Sequence, residues 1–531
     1  MNLLNTDIAP SKNQQHILLL PIWIGLALAI GILIGVLIAL PENKKAQKQT
    51  EKITEILQII QNNYVDSLYL DSLTDKAIES VLKNLDPHSS YIPAEELAVA
   101  RSHLETDFEG IGVEYEWAND TVFVTYPLVG SPAEKAGILA GDKILAINNE
   151  PIVGAEAFNQ NLLFQKLRGK KGSEVALLVL RQGKTLEIAV RRDKVRSKSV
   201  FAYTLPHKIG YIKVSKFAEK TDEEFSQVLA QLVEKDSAQT IILDLRDNGG
   251  GYMDKASKMA DEFLEAGALI VYTKGRHKRY DQKYMATKGG KFEKGKLILL
   301  LDEGSASASE IVAGALQDND RAEIVGRRSY GKGLVQVPFE LAQGGELRLT
   351  VSKYYTPSGR SIQKPYKNGI VYDKDLTQRI KNGELLYADS THYDQSQIYR
   401  TAKGKIVYGG GGISPDYFVA IDTLELNEKI DKILKSNRIK EYVSWYAQRN
   451  KKILVQLGFK HFSKNWQMSE AALSLLIHET LKKPEEIFLQ NYAKAYLAKI
   501  LWGTEAYLQI RNQNDRIFRK ALSLLEKSDK F

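Results

Sequence analysis

Asp302-Glu303-Gly304-Ser305-Ala306-Ser307-Ala308-Ser309-Glu310 comes straight after the apolar run Leu297–Leu301. A buried strand there gives way to small polar residues and then to a helical pattern over Glu310–Leu316. A serine where a strand turns into a helix presents its hydroxyl at the sheet edge, beside backbone N–H groups that lack helical partners and can hold an oxyanion. The plainer reading is also open at this point, because Ser307 and Glu310 have the spacing of a helix capping box. Outward from this segment the alternation continues. Ile209–Phe217 and Thr240–Leu245 read as strands, Asp222–Glu234 as a helix and Glu323–Gly326 as a further strand. That order predicts an α/β layer architecture with a largely buried sheet.

A serine nucleophile needs a base. The chain has no cysteine and eight histidines, His16, His88, His103, His207, His277, His392, His461 and His478. They are scattered, and each is read as a surface or packing residue. A lysine can serve when neutral. Its pKa must then fall from about 10.4 to roughly 7–8 through burial, at a cost of about 4 kcal/mol. Lys332, in Gly331-Lys332-Gly333-Leu334-Val335-Gln336, sits in the tight glycine-flanked turn that such burial calls for. Gln336 is placed to orient the amine without adding charge. The alternative is an ordinary loop lysine.

The rest of the chain divides by texture. Residues 1–16 form an N-terminal tail. Ile17–Leu40 has 24 positions without a charged side chain, enough to span a bilayer as a helix. The following Leu40-Pro41-Glu42-Asn43 lacks a small-x-small cleavage site, so an uncleaved signal anchor is expected over 17–40. Lysines 44, 45, 48 and 52 follow the span, and by the positive-inside rule alone they would put the large domain in the cytoplasm. Residues 45–105 show helical periodicity, broken at Leu85-Asp86-Pro87-His88-Ser89-Ser90-Tyr91. From 106 to 192 short alternating strands with Asn-Asp, Ala-Gly-Asp and Gln-Gly turns predict a small β-rich module, with a helix over Ala155–Leu167. Residues 193–422 carry the α/β pattern, interrupted by a long polar insertion at 364–408, and 423–531 read as helical. The net charge of +8 comes from 73 basic against 65 acidic residues. It is too dilute for a nucleic-acid binder, which concentrates basic residues on one face.

Taken together, Ser305–Glu310, Gln317-Asp318 and Gly326-x4-Gly331-Lys332-Gly333-x2-Gln336 resemble the signature of the carboxy-terminal processing proteases, the S41 family of serine peptidases. Asp244-Leu245-Arg246-Asp247-Asn248-Gly249-Gly250-Gly251, Leu85–Tyr91, Tyr355–Gln363 and Gly412–Asp416 extend the match in consistent order. The resemblance implies a crotonase/ClpP-like α/β protease core and no metal or organic cofactor. It implies Ser307 as nucleophile, Lys332 as general base, Gln336 as the residue positioning that lysine, and the N–H groups of Gly250 and Ala308 as the oxyanion hole. Asp318 falls on a family position where structural support at a helix end is expected. The module at 106–192 resembles a PDZ domain. Gly110-Ile111-Gly112-Val113 stands where such domains grip a peptide's C-terminal carboxylate, and a peptide would add there as a strand.

These features predict a membrane-anchored serine endopeptidase that takes protein substrates with free apolar C-termini. Family resemblance, overriding the lysine-rich flank, places everything beyond Pro41 outside the cytoplasm, in the periplasm at the inner membrane. A homodimer or higher oligomer is a family expectation for the C-terminal helices. A PDZ-bearing adaptor with a degenerate protease body would lack the serine or the lysine, and both are present. Acyl transfer on a small thioester would leave the PDZ-like module unexplained.

Overall fold

The computed structural model describes residues 23–32, 44–118, 121–154, 160–366, 372, 374–388, 394–477 and 479–528. Residues 23–32 are helical. Among the described residues no helix is long and apolar enough to cross a membrane. The remainder of the 17–40 segment, on which the expected anchor depends, lies outside the described residues. Residues up to Ala77 form one compact unit, with helix α1 (Lys44–Asn63) and the first part of α2 (Leu70–Leu82).

The second unit runs from Ile78 to Phe531. It opens with the 85–91 turn, strand β1 (Ser90–Ile92) and helix α3 (Ala94–Ser102). A β-rich module follows. Strand β2 (Asp107–Gly110) leads into β3 (Val113–Ala118), β4 (Thr121–Pro127) and β5 (Lys143–Ile147). Helix α4 (Gln160–Leu167), β6 (Glu174–Arg181), β7 (Lys184–Arg191) and β8 (Asp193–Arg196) complete it. Strands β3, β4, β5, β6 and β7 form an antiparallel sheet in that order, with β3 at its edge, and β2 pairs with β8. Period-2 alternation explains its core: Val122, Val124, Val175, Leu177 and Val179 point inward with Ile111 and Leu163. The helix expected over Ala155–Leu167 is described from Gln160 onward.

The α/β body is built from β9 (Val200–Leu205), β10 (Ile209–Val214), helix α5 (Thr221–Ala230), β11 (Thr240–Asp244), helix α6 (Met253–Asp261) and β12 (Leu269–Gly275). It continues with β13 (Lys296–Leu301), helix α7 (Ala308–Asp318), β14 (Glu323–Gly326), β15 (Leu334–Glu340), β16 (Glu346–Tyr355), a short helix α8 (Asp375–Lys381) and β17 (Tyr417–Phe418). The main sheet has the order β9-β10-β11-β13-β14-β17 and is parallel from β10 onward. Ile241, Leu243, Leu299 and Leu301 point to one face, against α5, α6 and α7. Ile242, Ile298, Leu300 and Val325 point to the other, against the last helix. This two-sided burial is why β13 is written as an unbroken apolar run. A second sheet sets β16 between β12 and β1, with β15 paired along β16.

After residue 423 the chain is helical. Helices α9 (Glu428–Lys435), α10 (Arg438–Leu457), α11 (Lys483–Trp502), α12 (Thr504–Asn512) and α13 (Arg516–Ser528) carry it. Most of them share a core of their own around Val443, Leu489, Leu497 and Ile510. The segment 364–408, expected as an insertion, holds α8 and the hairpin Ile398–Arg400/Ile406–Tyr408.

Candidate active site

Ser307 stands where β13 turns into α7, with φ +55° and ψ −112°. A β-carbon-bearing residue in that region stores about 1–3 kcal/mol of strain. Such a turn lifts the serine hydroxyl off the sheet edge. Every residue of α7 is buried, so the turn is held by a helix that cannot shift without opening the core.

Glu310 explains both the capping-box spacing and more. Its carboxylate accepts the Ser307 N–H at 2.8 Å, which is the helix-cap bond. The same carboxylate accepts the Gly331 N–H at 2.7 Å, the Lys332 N–H at 2.9 Å and the Ser329 hydroxyl at 2.5 Å. Burial raises its pKa, and those hydrogen bonds pull it back part of the way. A single buried side chain therefore fastens the Ser307 turn to the Lys332 turn. Tyr354, on β16, adds a second tie. Its hydroxyl donates to the Lys332 carbonyl at 2.6 Å and lies 3.2 Å from the Ser307 carbonyl.

Burial pushes the Lys332 ammonium below its ordinary pKa, against the opposing pull of the Glu310 and Asp86 charges. The nearest segment to it in function is one that lies more than two hundred residues upstream. Asp86 accepts the Thr350 hydroxyl at 3.0 Å and the Ser89 hydroxyl at 2.6 Å, and Ser89 Oγ accepts the Thr350 N–H. Burial raises the Asp86 pKa, but the Ser89 hydroxyl and the other donors outweigh it and hold the group below the usual carboxylate range. His88 is brought to the same place. Its Nε2 is 2.6 Å from the Tyr372 hydroxyl. Burial, followed by the Lys332 charge, lowers its pKa to about 4, so the ring is neutral. Tyr372 and Tyr330 both face the Lys364 ammonium, and Lys364 pairs with Asp375 of α8. The polar insertion is thus built into the wall beside Lys332.

Two expected details differ. The Gln336 amide donates to Thr350 Oγ1 at 3.1 Å, its cross-strand neighbour in the β15–β16 register, and makes no hydrogen bond to Lys332. Gly250 lies against the serine as expected, since a β-carbon there would sit 2.8 Å from Ser307 Cβ and 3.0 Å from the Ala308 nitrogen. Its N–H, however, donates to Asn248 Oδ1 at 2.9 Å. The Ala308 N–H has no acceptor among the described residues, and no hydrogen bond joins Ser307 Oγ to Lys332 Nζ. The Ser307 and Lys332 turns are tied together, with the hydroxyl and the amine unlinked. Asp318 is structural: it pairs with the wholly buried Arg360 at 2.7 Å and accepts from Ser358.

In the β-rich module, Gly112 has φ +76° and a β-carbon there would come within 2.6 Å of Ser131 Cβ. The Gly112 N–H has no acceptor among the described residues, while the Gly110–Arg168 β-bridge turns the Ile111 N–H toward the chain at Leu167. The adjoining β3 is an edge strand, open to an added strand. On its outer face Glu114 pairs with Lys499 of α11 and Glu116 with Lys440 of α10.

Comparison with known proteins fits this geometry. A model of peptidase family S41 matches residues 208–376, and a PDZ-domain model matches residues 110–191. A probable CtpA-like serine protease of Staphylococcus epidermidis is 30% identical over 483 residues, 88% of this chain and 96% of the relative. The chain belongs to peptidase family S41. A carboxy-terminal-processing protease of Bartonella bacilliformis is 37% identical over 349 residues, 65% of this chain and 79% of the relative. Among solved structures, a photosystem II D1 C-terminal processing protease is 23% identical, covering 72% of this chain and 96% of its own, with a TM-score of 0.36. The protein is a serine-type peptidase of the carboxy-terminal-processing kind with a PDZ domain.

Sequence reasoning singled out Ser307, Lys332 and the glycine turn, which the structure ties together through Glu310, but not the bonds made by Glu310, Tyr354, Asp86 or His88. The Leu85–Tyr91 motif was the one signal that could have pointed to the last two.

Proposed function

We propose that Ser307 and Lys332 form the catalytic dyad of this protease and that it cuts proteins presented by their C-termini. The observation that carries the reading is the buried, pKa-depressed Lys332 fastened to the strained Ser307 turn through Glu310. Neutral Lys332 Nζ takes the Ser307 hydroxyl proton as Oγ bonds to the scissile carbonyl carbon. The oxyanion that results is held by the Ala308 N–H and by the Gly250 N–H once Asn248 releases it. Lys332 then returns the proton to the departing amine as the C–N bond breaks. Water, deprotonated by the same amine, hydrolyses the acyl-serine. Gln336 acts at one remove, through Thr350 and Asp86, whose charge faces the lysine.

The unlinked hydroxyl and amine, and the Gly250 N–H held by Asn248, support a resting site that closes when a peptide C-terminus engages Gly110–Val113 of the PDZ domain. Deleting residues 106–192 should then abolish turnover, and equal turnover after the deletion would sink the gating idea. The charge-free segment 17–40 supports a single-pass anchor in the cytoplasmic membrane, and the family resemblance, against the lysine-rich flank, supports an extracytoplasmic protease. Membrane fractionation, followed by protease digestion of spheroplasts, tests this. The chain should sediment with membranes and be digested from outside, and a soluble or externally protected chain would contradict the assignment.

A further inference from the structure

A cavity of about 660 Å³, whose lining does not include Ser307, lies at the carboxyl ends of β10, β11, β13, β14 and β17 and against helices α11 and α12. Its volume falls in the range of small-molecule pockets, and the carboxyl ends of parallel strands are where α/β sheets receive ligands. One wall is apolar, with Ile487 and Phe488 of α11 facing the space beside Leu424. Ile487 is 51% exposed.

The lining also carries charged side chains, several of them already paired. Lys213, Arg246 and Arg327 are already paired, with Asp244, Asp515 and Glu303. Arg511 is not: its guanidinium lines the cavity and has no hydrogen bond or ion pair among the described residues. Asp247 and Glu425 also line it, and neither carboxylate makes an ion pair. Each lies close enough to Arg511 to act on it electrostatically, yet no contact under 4.0 Å closes the gap. A cation and anions that line one cavity without pairing, beside apolar side chains, are complementary to a small zwitterion carrying apolar side chains.

We propose that this cavity binds a short apolar peptide with both termini free, its carboxylate on Arg511, its ammonium between Glu425 and Asp247, and its side chains on Ile487 and Phe488. Free amino and carboxyl termini are what peptide hydrolysis creates, so a ligand of this class is generated at the neighbouring site. The floor of the cavity is shared with the catalytic turns. Asp247 donates its N–H to Asp302 at 2.9 Å, Asp302 heads the turn to Ser307, and Asp247 precedes the Asn248 that holds the Gly250 N–H.

The test is calorimetric titration of the full Ser307→Ala chain in detergent with the dipeptide Leu-Phe, its N-acetyl form and its C-terminal amide. Leu-Phe should bind saturably with Kd at or below about 1 mM, and either blocked form should bind at least about tenfold more weakly. Arg511→Gln should weaken Leu-Phe by about tenfold or more. Glu425→Gln, at an exposed side chain with no partner to lose, should do the same if Arg511→Gln folds poorly. A PDZ carboxylate loop ignores the amino terminus, so equal binding of the N-acetyl form would assign the heat to residues 110–113 and overturn the proposal. Absence of saturable binding, or binding indifferent to both substitutions, would overturn it as well. Because no turnover is read, such a failure leaves the protease reading standing.

Discussion

Replacing Glu310 with glutamine probes the tie between the Ser307 and Lys332 turns. Four donors converge on its two oxygens: the N–H groups of Ser307, Gly331 and Lys332 and the Ser329 hydroxyl. An amide keeps one acceptor oxygen. In its best orientation that oxygen serves Ser307 and Lys332, while the NH2 group faces the Gly331 N–H and leaves it unsatisfied. An orphaned buried donor costs about 1–3 kcal/mol, and the surviving bonds lose their charge assistance, which roughly halves them. Relief from burying a charge offsets part of this. The expected net loss is about 2–4 kcal/mol, which in a unit the size of Ile78–Phe531 lowers the melt by roughly 2–4 °C. Misplacing the lysine turn by about an ångström should cost kcat about a hundredfold. Scanning calorimetry and cleavage of an unfolded protein with an apolar C-terminus read the two effects. A Glu310→Gln variant with wild-type melting and wild-type kcat would refute the reasoning.

Four further outcomes are expected. The rate should rise with pH through the depressed Lys332 pKa, because only the neutral amine accepts a proton; Asp86→Asn removes a charge that raises that pKa, so the profile should move to lower pH, and an unmoved profile would separate Asp86 from the lysine. The unfolded chain holds a proton on Lys332 that the folded chain has lost between the depressed and ordinary pKa values, so stability rises with pH across that window, and Lys332→Met should flatten the rise seen in denaturant melts. Gly250→Ala forces a β-carbon to 2.8 Å from Ser307 Cβ at φ +105°, and should cost about 1–3 kcal/mol in denaturant titration and most of the activity. Arg360→Ala leaves the buried Asp318 carboxylate unpaired and should destabilise by about 3–5 kcal/mol, with loss of activity following loss of fold in the same melts.

What was legible in the sequence was what local pattern encodes. The unbroken Leu297–Leu301 run announced a buried strand, which the structure covers on both faces, and the period-2 runs between 113 and 191 announced the β module. The serine and lysine turns stood out because nucleophile geometry and lysine burial each demand small residues nearby. The capping-box reading of Ser307 and Glu310 was correct and incomplete, since nothing local says that the glutamate's other bonds go to a turn some twenty residues on. His88 looked like an ordinary histidine because its relation to Lys332 depends on Ser90 pairing with Arg348 across two sheet strands. Gln336 was expected to touch the lysine, but strand register points its amide at Thr350. The mixed charges of the strand-end cavity come from strands and helices up to three hundred residues apart, and no window of sequence contains them.

The dyad itself is tested most directly by cleavage of an unfolded protein with a free apolar C-terminus. The full chain should be compared with Ser307→Ala and Lys332→Ala, each with its melt recorded. Both variants should fold and neither should cut. Cleavage surviving in either folded variant would contradict the assignment of nucleophile and base.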